Sequence, residues 1–532
     1  MNFNKYLYGS VYRPEWDRGE DILSEDISLM KQLCFNMVIL PPDVIERASA
    51  AEAETEKLRQ LLSVLEENGI GVMAGVGRTL PPGELIKELD ASETVRFFMA
   101  GGPDCPAAET LSALRDAGVT KPLAALCRPE DLYGSCRAPD EADVICYQDE
   151  TDWACADRDK NMYEASAYAD WLRCLGGRKL IKVGIDPCVT MKDGVRRLRR
   201  PGTLSFDIYH AAAHGAGGFF YRNFRQEMRG EDRRRGGLID HTGRTGTRVL
   251  EEAGRLGRLL KELRVLTEKD ILSSQAVFVN GDAGPEKLLR YYRIIRNSGL
   301  NADFINEESD FSRYSLIIAP ELTRISEETA GKIRQFVHEG GVWFSHLSPC
   351  DETGDGELWE GDAPHALTDV FGIRITDLDE LPPGEKTALD AAPDFRGHFL
   401  AEGQCGIVCA DDAEVLMSYA GQFYEGTPCL TRKHFGRGFA YYLACGCAEE
   451  LSWEICTRIS GITRKQAKNR RIDGIAMQRF DDDEAEYLVF LNYSDRERRL
   501  PLEYNKLDIL FGYDPLPVWG AMVLKVLKTG SS

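Results

Sequence analysis

RPGTLSFDIYHAAAHGAGGFFYRNFRQEMRGEDRRRGGLIDHTG, residues 200–243, decides how the first half of this 532-residue chain folds. It reads as a polar loop, an Ala-rich helix, a short apolar strand over Gly217–Tyr221 and a long loop crowded with arginine. That order is the last unit of a parallel β/α array. Working back toward the N-terminus, seven more strands are predicted: Tyr6–Tyr12, Asn36–Leu40, Gly71–Val76, Val95–Ala100, Pro122–Leu126, Asp143–Tyr147 and Lys179–Ile185. Amphipathic helix patterns such as EKLRQLLSVLEENG and AAETLSALRDAG lie between them, several closed by a C-capping glycine. Eight strands alternating with helices over about 250 residues predict a (β/α)₈ TIM barrel. A doubly wound sheet is the alternative, but no Gly-rich phosphate loop follows the first strand.

The barrel is expected over residues 1–270. An α/β domain is expected over 271–465, like a flavodoxin or glutamine-amidotransferase sheet. Its signals are QAVFVN, the helix PEKLLRYYRIIRNSG, YSLIIAP, the capped helix SEETAGKIRQFVHEGG and VWFSHL. Residues 466–532 alternate like a small β-sandwich, with DDDEAE at a hairpin tip.

The net charge of −21 argues against nucleic-acid or anionic-membrane partners, which need basic surface. No apolar run approaches the roughly 20 residues of a membrane span, and no export signal opens the chain, so a cytoplasmic location is expected. The fifteen cysteines are scattered without paired metal spacing. Reduced, mostly buried thiols are expected, a zinc site from Cys105, Cys146 and Cys155 being the lesser alternative. No cofactor is expected. His210 and His214, four apart on a helix, are read as packing residues.

Several motifs together resemble glycoside hydrolase family 42, the trimeric β-galactosidases. GSVYRPEW resembles that family's opening at Tyr12, Pro14 and Glu15, and Asp26–Asn36 its D-x-x-x-M-K-x-x-G-x-N helix. RPG…AHGAGGFF…FRQ…DHTG resembles its last barrel unit, and YSLIIAPEL and VHEGGV its trimerisation domain. GQFYEGTP and the short C-terminal β-domain fit as well, so the resemblance runs through the whole chain in one order. It implies a homotrimer, a carbohydrate ligand and a retaining mechanism with two glutamates, an acid/base after strand 4 and a nucleophile after strand 7. Such a pair works because one carboxyl protonates the leaving oxygen while the other attacks the anomeric carbon from about 5 Å away. Here the two family positions fall on Gly102, preceded by Gly101, and on Gly184. Further family positions fall on Ile39, Phe224, Asp232 and Arg235.

Two outcomes follow. In one, the chain is a divergent β-galactosidase-like hydrolase whose acid chemistry has moved to Asp104 and Asp186, each two residues beyond a missing glutamate. Residues i and i+2 of a strand share a face, so both aspartates are candidates to enter the barrel mouth. In the other, Asp104 caps a helix, Asp186 precedes a proline turn, and the chain is a non-catalytic carbohydrate-binding or scaffold homologue. The predicted mouth is rich in arginine: Arg13, Arg78, Arg128, Arg222, Arg225 and Arg233–Arg235. Guanidinium forks suit an anionic sugar, or pair with rim carboxylates such as Asp149, Glu150 and Asp232. Asp149 or Glu150 is a third candidate acid, and Trp153 is expected either to stack on a sugar or to pack beneath a loop. Substrate-binding candidates are thus Arg13, Arg78, Arg128, Glu150, Trp153, Arg225, Asp232 and Arg235, with no metal ligands.

Overall fold

The computed structural model describes residues 5–14, 20–101, 107–127, 140–192, 195–267, 269–281, 283–395, 397–461, 472–501, 503–504 and 507–528. They divide into two compact units, one built from residues 1–271 and 473–532, the other from 272–472.

The first unit contains the barrel. Its strands are β1 (Leu7–Val11), β2 (Met37–Leu40), β3 (Gly71–Val76), β4 (Val95–Ala100), β5 (Leu123–Cys127), β6 (Val144–Tyr147), β7 (Lys179–Ile185) and β8 (Ala216–Tyr221). They close in the order β1-β8-β7-β6-β5-β4-β3-β2, and every pairing is parallel. All eight strands expected from the sequence are therefore present. Alternate residues fill the interior: Leu7, Met37, Ile39, Met73, Phe97, Met99, Val144, Cys146, Ile181, Val183 and Phe220 form one buried cluster. The barrel is a packed core, and chemistry is confined to the strand ends above it. One feature was not anticipated. After β7 the chain makes a two-stranded hairpin, Val189–Lys192 with Val195–Leu198, before the Thr203–Ala213 helix begins.

The C-terminal segment forms a five-stranded antiparallel sheet rather than two facing sheets. Its order is Asp270–Ile271, Ile475–Asp481, Ala485–Asn492, Ala521–Leu527, Asp508–Phe511. Its second layer comes from the barrel's own helices: Phe511 packs edge-on to Tyr209 at 5.6 Å, and Trp519 to Phe206 at 5.4 Å between ring centroids. Asp482 holds the hairpin tip by accepting the amides of Glu484 and Ala485 at 2.9 and 2.8 Å, as DDDEAE implied.

The second unit carries a mixed sheet. Its parallel half runs Asp303–Ile305, Gln275–Phe278, Leu316–Pro320, Val342–His346, Gly438–Leu443, and antiparallel strands between Ile373 and Phe435 extend it. Ser326 caps the Glu327–His338 helix by accepting the Thr329 amide. Phe278, Ile317, Phe336 and Trp343 are central to its core. Among the described residues no helix is long and apolar enough to cross a membrane.

Candidate functional site

The site is built from the residues that follow the strands at the C-terminal mouth of the barrel. Strand β7 departs from regular pairing there. Phe219 faces Lys182 but Tyr221 faces Ile185, so β7 carries an extra residue and bulges at Val183–Gly184. Within this bulge Gly184 takes left-handed backbone at φ +69, a conformation glycine adopts without a Cβ penalty. A Cβ added there would lie 2.8 Å from the Gln148 side chain, which occupies the space beside the glycine. At the end of β4, Gly101 has φ +123, and its Cβ would lie 2.8 Å from the Leu126 carbonyl oxygen. Gly102 and Asp104 lie outside the described residues, as does Arg128.

Beyond the bulge sits Asp186, 7% exposed. Its carboxyl is held by two guanidiniums, Arg222 Nε at 2.9 Å and Arg235 Nη1 at 2.6 Å. Arg222 comes from the first turn after β8, two residues beyond inward-facing Phe220, so the strand alternation delivers it to the mouth. Arg235 closes the short 3₁₀ turn Glu231–Arg234 of the last loop. It also bridges Glu150 at 3.2 Å and Asp232 at 3.2 Å, and Arg222 reaches Glu150 at 4.0 Å. The same two arginines thus serve Asp186 and Glu150 together. Burial pushes the Asp186 carboxyl above its ordinary value, against the downward pull of Arg222 and Arg235.

Arg13 and Arg225 are engaged too. Arg13 pairs with Glu227 at 2.7 Å and Asp43 at 3.1 Å. Arg225, expected to meet substrate, is instead 8% exposed in its side chain and bound at 2.5 Å to Asp26, which also accepts the Tyr12 hydroxyl. Arg78 is exposed just after β3. Trp153 presents no sugar platform: it is 2% exposed and packs edge-on to Phe206 at 4.9 Å and against His210 at 4.8 Å. His210 bonds Ser166 and His214 bonds Asp170, which is the packing role expected of both.

Behind β7, on the strand face turned away from the barrel interior, lies a buried charge cluster that the sequence analysis did not single out. Lys182, on β7 with 1% of its side chain exposed, contacts Asp149 at 2.9 Å and Asp207 at 2.6 Å. Arg199 holds the other Asp207 oxygen at 2.8 Å and donates to the Asp186 carbonyl. Burial works against the Lys182 charge, but Asp149 and Asp207 outweigh it and hold the ammonium protonated above its ordinary value. Lys182 and Arg199 hold Asp207 below its own, against the opposing effect of burial. The signal was a lysine inside the apolar strand KLIKVGI, since a fully buried lysine requires a partner. Asp149, grouped with the rim acids from sequence, belongs to this cluster behind β7.

Residues 108–263 match the family model described as β-galactosidase, and residues 272–464 the one described as β-galactosidase trimerisation domain. The chain belongs to glycoside hydrolase family 42. Among curated relatives, β-galactosidase BglY of Alicyclobacillus acidocaldarius is 26% identical over 64% of this chain and 53% of its own length. β-galactosidase LacZ of Lactobacillus acidophilus is 26% identical over 69% of this chain and 58% of its own. The chain therefore spans little more than half the length of the curated relatives it matches. The β-galactosidase structure from Rahnella sp. R3 superposes with a TM-score of 0.83 at 19% identity, covering 99% of both chains. That from Bacillus circulans sp. alkalophilus gives 0.81 at 18% identity, covering 98% of this chain and 99% of that one. At such identities the likeness is one of fold.

Proposed function

We propose that this family 42 protein recognises galactoside-related sugars but does not cleave them by the two-glutamate route. The observation that carries this reading is the left-handed backbone of Gly101 and Gly184 at the ends of β4 and β7. A side chain at either position costs on the order of 1–3 kcal/mol in backbone strain alone. Loss of the nucleophile at Gly184 is then a remodelled strand end, with Gln148 beside it, rather than a single exchanged side chain. The pairing of Arg13, Arg222, Arg225 and Arg235 with carboxylates supports a neutral ligand over an anionic one. A homotrimer belongs to the same reading, supported by the match of residues 272–464.

A second reading, a divergent hydrolase with relocated acids, has one observation in its favour. Asp186 and Glu150 share the Arg235 guanidinium, and carboxyl pairs that cleave glycosides stand about 5–9.5 Å apart. In that reading Glu150 or Asp104 partners Asp186.

The test combines a hydrolysis screen of chromogenic neutral and acidic glycosides with calorimetric titration of lactose and an uncleavable thio-β-galactoside. Binding without turnover is the expected result. Turnover of any glycoside that disappears in Asp186→Asn, and in Glu150→Gln or Asp104→Asn, would overturn the non-hydrolytic reading and establish the second.

A further inference from the structure

The loop after β6 has two sides. At Glu150 it borders the barrel mouth. At Ala154–Asp157 it forms one wall of an open cleft of about 680 Å³, whose other walls are the hairpin after β7 and the C-terminal sheet. That volume is in the range of small-molecule sites. All its walls belong to the first compact unit.

Arg158, Arg197, Arg200 and Arg498 reach the cleft, so its donors are guanidiniums. Its acceptors are carboxylates in equal number, Asp157, Asp159, Asp473 and Asp495. The two kinds are interleaved and formally cancel. A phosphate would gain the arginines but face every carboxylate, and a metal ion would meet the reverse. A hydroxyl group both donates and accepts, so it is satisfied wherever it falls on such a lining.

The walls are fixed before any ligand arrives. The Tyr493 hydroxyl donates to Asp159 at 2.7 Å, fastening the sheet to the start of the Arg158–Gly176 helix. The Arg158 guanidinium lies over the Trp519 ring at 5.4 Å. Arg197 is tied to Asp152 at 2.7 Å, which anchors the hairpin to the loop. Arg498 bonds Asp473 at 3.1 Å and the Ser494 hydroxyl at 3.3 Å, and Ser494 is held in turn by Asn492 at 2.6 Å. Asp473 and Asp495 stay 80% and 75% exposed in their side chains, and Arg200 is exposed, so acceptor and donor capacity faces solvent from a pre-organised frame.

We propose that this cleft is a second ligand site, separate from the barrel mouth, and that it takes a neutral polyhydroxylated ligand of oligosaccharide size. The inference goes beyond the mouth reading and stands without it. The experiment titrates lactose and a short galacto-oligosaccharide into the full chain by calorimetry and saturation-transfer NMR. The parent is compared with Arg200→Ala and Asp473→Ala/Asp495→Ala in the cleft and Arg235→Ala at the mouth. Both cleft variants change exposed side chains, and unchanged thermal unfolding verifies that they fold. The expected result is binding weakened at least about tenfold in both cleft variants, persisting in Arg235→Ala and not displaced by inorganic phosphate. No binding of either sugar, binding untouched by the cleft variants, or displacement by phosphate would each overturn the proposal. Binding lost only in Arg235→Ala would overturn it while leaving the mouth reading intact.

Discussion

Replacing Lys182 by methionine tests how β7 is held against the Thr203–Ala213 helix behind it. Two cations, Lys182 and Arg199, balance two anions, Asp149 and Asp207, with between 1% and 7% of each side chain exposed. Methionine fills a similar volume but leaves Asp149 without its cation and Asp207 with Arg199 alone. Breaking a buried pair from one side costs about 3–5 kcal/mol, because the stranded charge has neither water nor partner. In a unit of this size such a loss lowers Tm by roughly 5–10 °C. Scanning calorimetry and urea unfolding of parent and Lys182→Met read it directly. The companion Lys182→Met/Asp149→Asn restores neutrality and is expected to recover much of the loss. Acid gives an independent check. Asp207 is held below its ordinary carboxyl value in the folded protein, so its contribution is present above the unfolded value near 3.8 and is lost as pH falls through the lower folded value. That component should be reduced in Lys182→Met. A single variant within about 1 kcal/mol of the parent, or a double variant no better than the single, would refute the balanced-cluster account.

Two further outcomes are expected. His346, fully buried between the Tyr291 hydroxyl at 2.6 Å and the Cys445 carbonyl at 2.9 Å, is pushed down by burial to about 3. Its neutral form therefore stabilises the second unit above pH ~6.5, and this is lost on acidification from there toward about pH 3; a pH series of melts with His346→Gln, which flattens that slope, checks it. Gly184→Ala forces an L-residue into the β7 bulge and should cost about 1–3 kcal/mol, whereas Gly83→Ala, with open space around its Cβ, should cost little; matched melts of the two separate backbone strain from generic glycine effects.

The barrel was legible because its strands are short apolar runs whose inward residues recur every second position, a local signal. The capped helix at Ser326 and the hairpin tip at Asp482 were legible for the same reason, since each is closed by groups two or three residues away. The mouth was legible only in composition. That Arg225 belongs to Asp26, 199 positions away, and Arg235 to Asp186 depends on which loops the closed barrel brings together, and nothing in the local pattern encodes it. Trp153 failed as a sugar platform for the same reason, because its cover comes from Phe206 and His210 on a later helix. Lys182 carried a local signal as well: a charge in a continuous apolar strand asks for a partner, and its partners tie β7 to the loop after β6 and to the Thr203–Ala213 helix.

The short strand Asp270–Ile271 pairs with Ile475–Asp481, a segment that follows the whole second unit in sequence. This makes the order of synthesis matter. When the ribosome has completed the barrel strands, the sheet that covers Tyr209 and Phe206 has only its two-residue edge, and the rest arrives some 200 residues later. Until then those rings face water, and the second unit, contiguous in sequence, is free to fold first as a unit. A nascent chain of this protein should therefore carry an exposed aromatic face over a defined window of its synthesis, the stage at which chaperone dependence and aggregation are greatest.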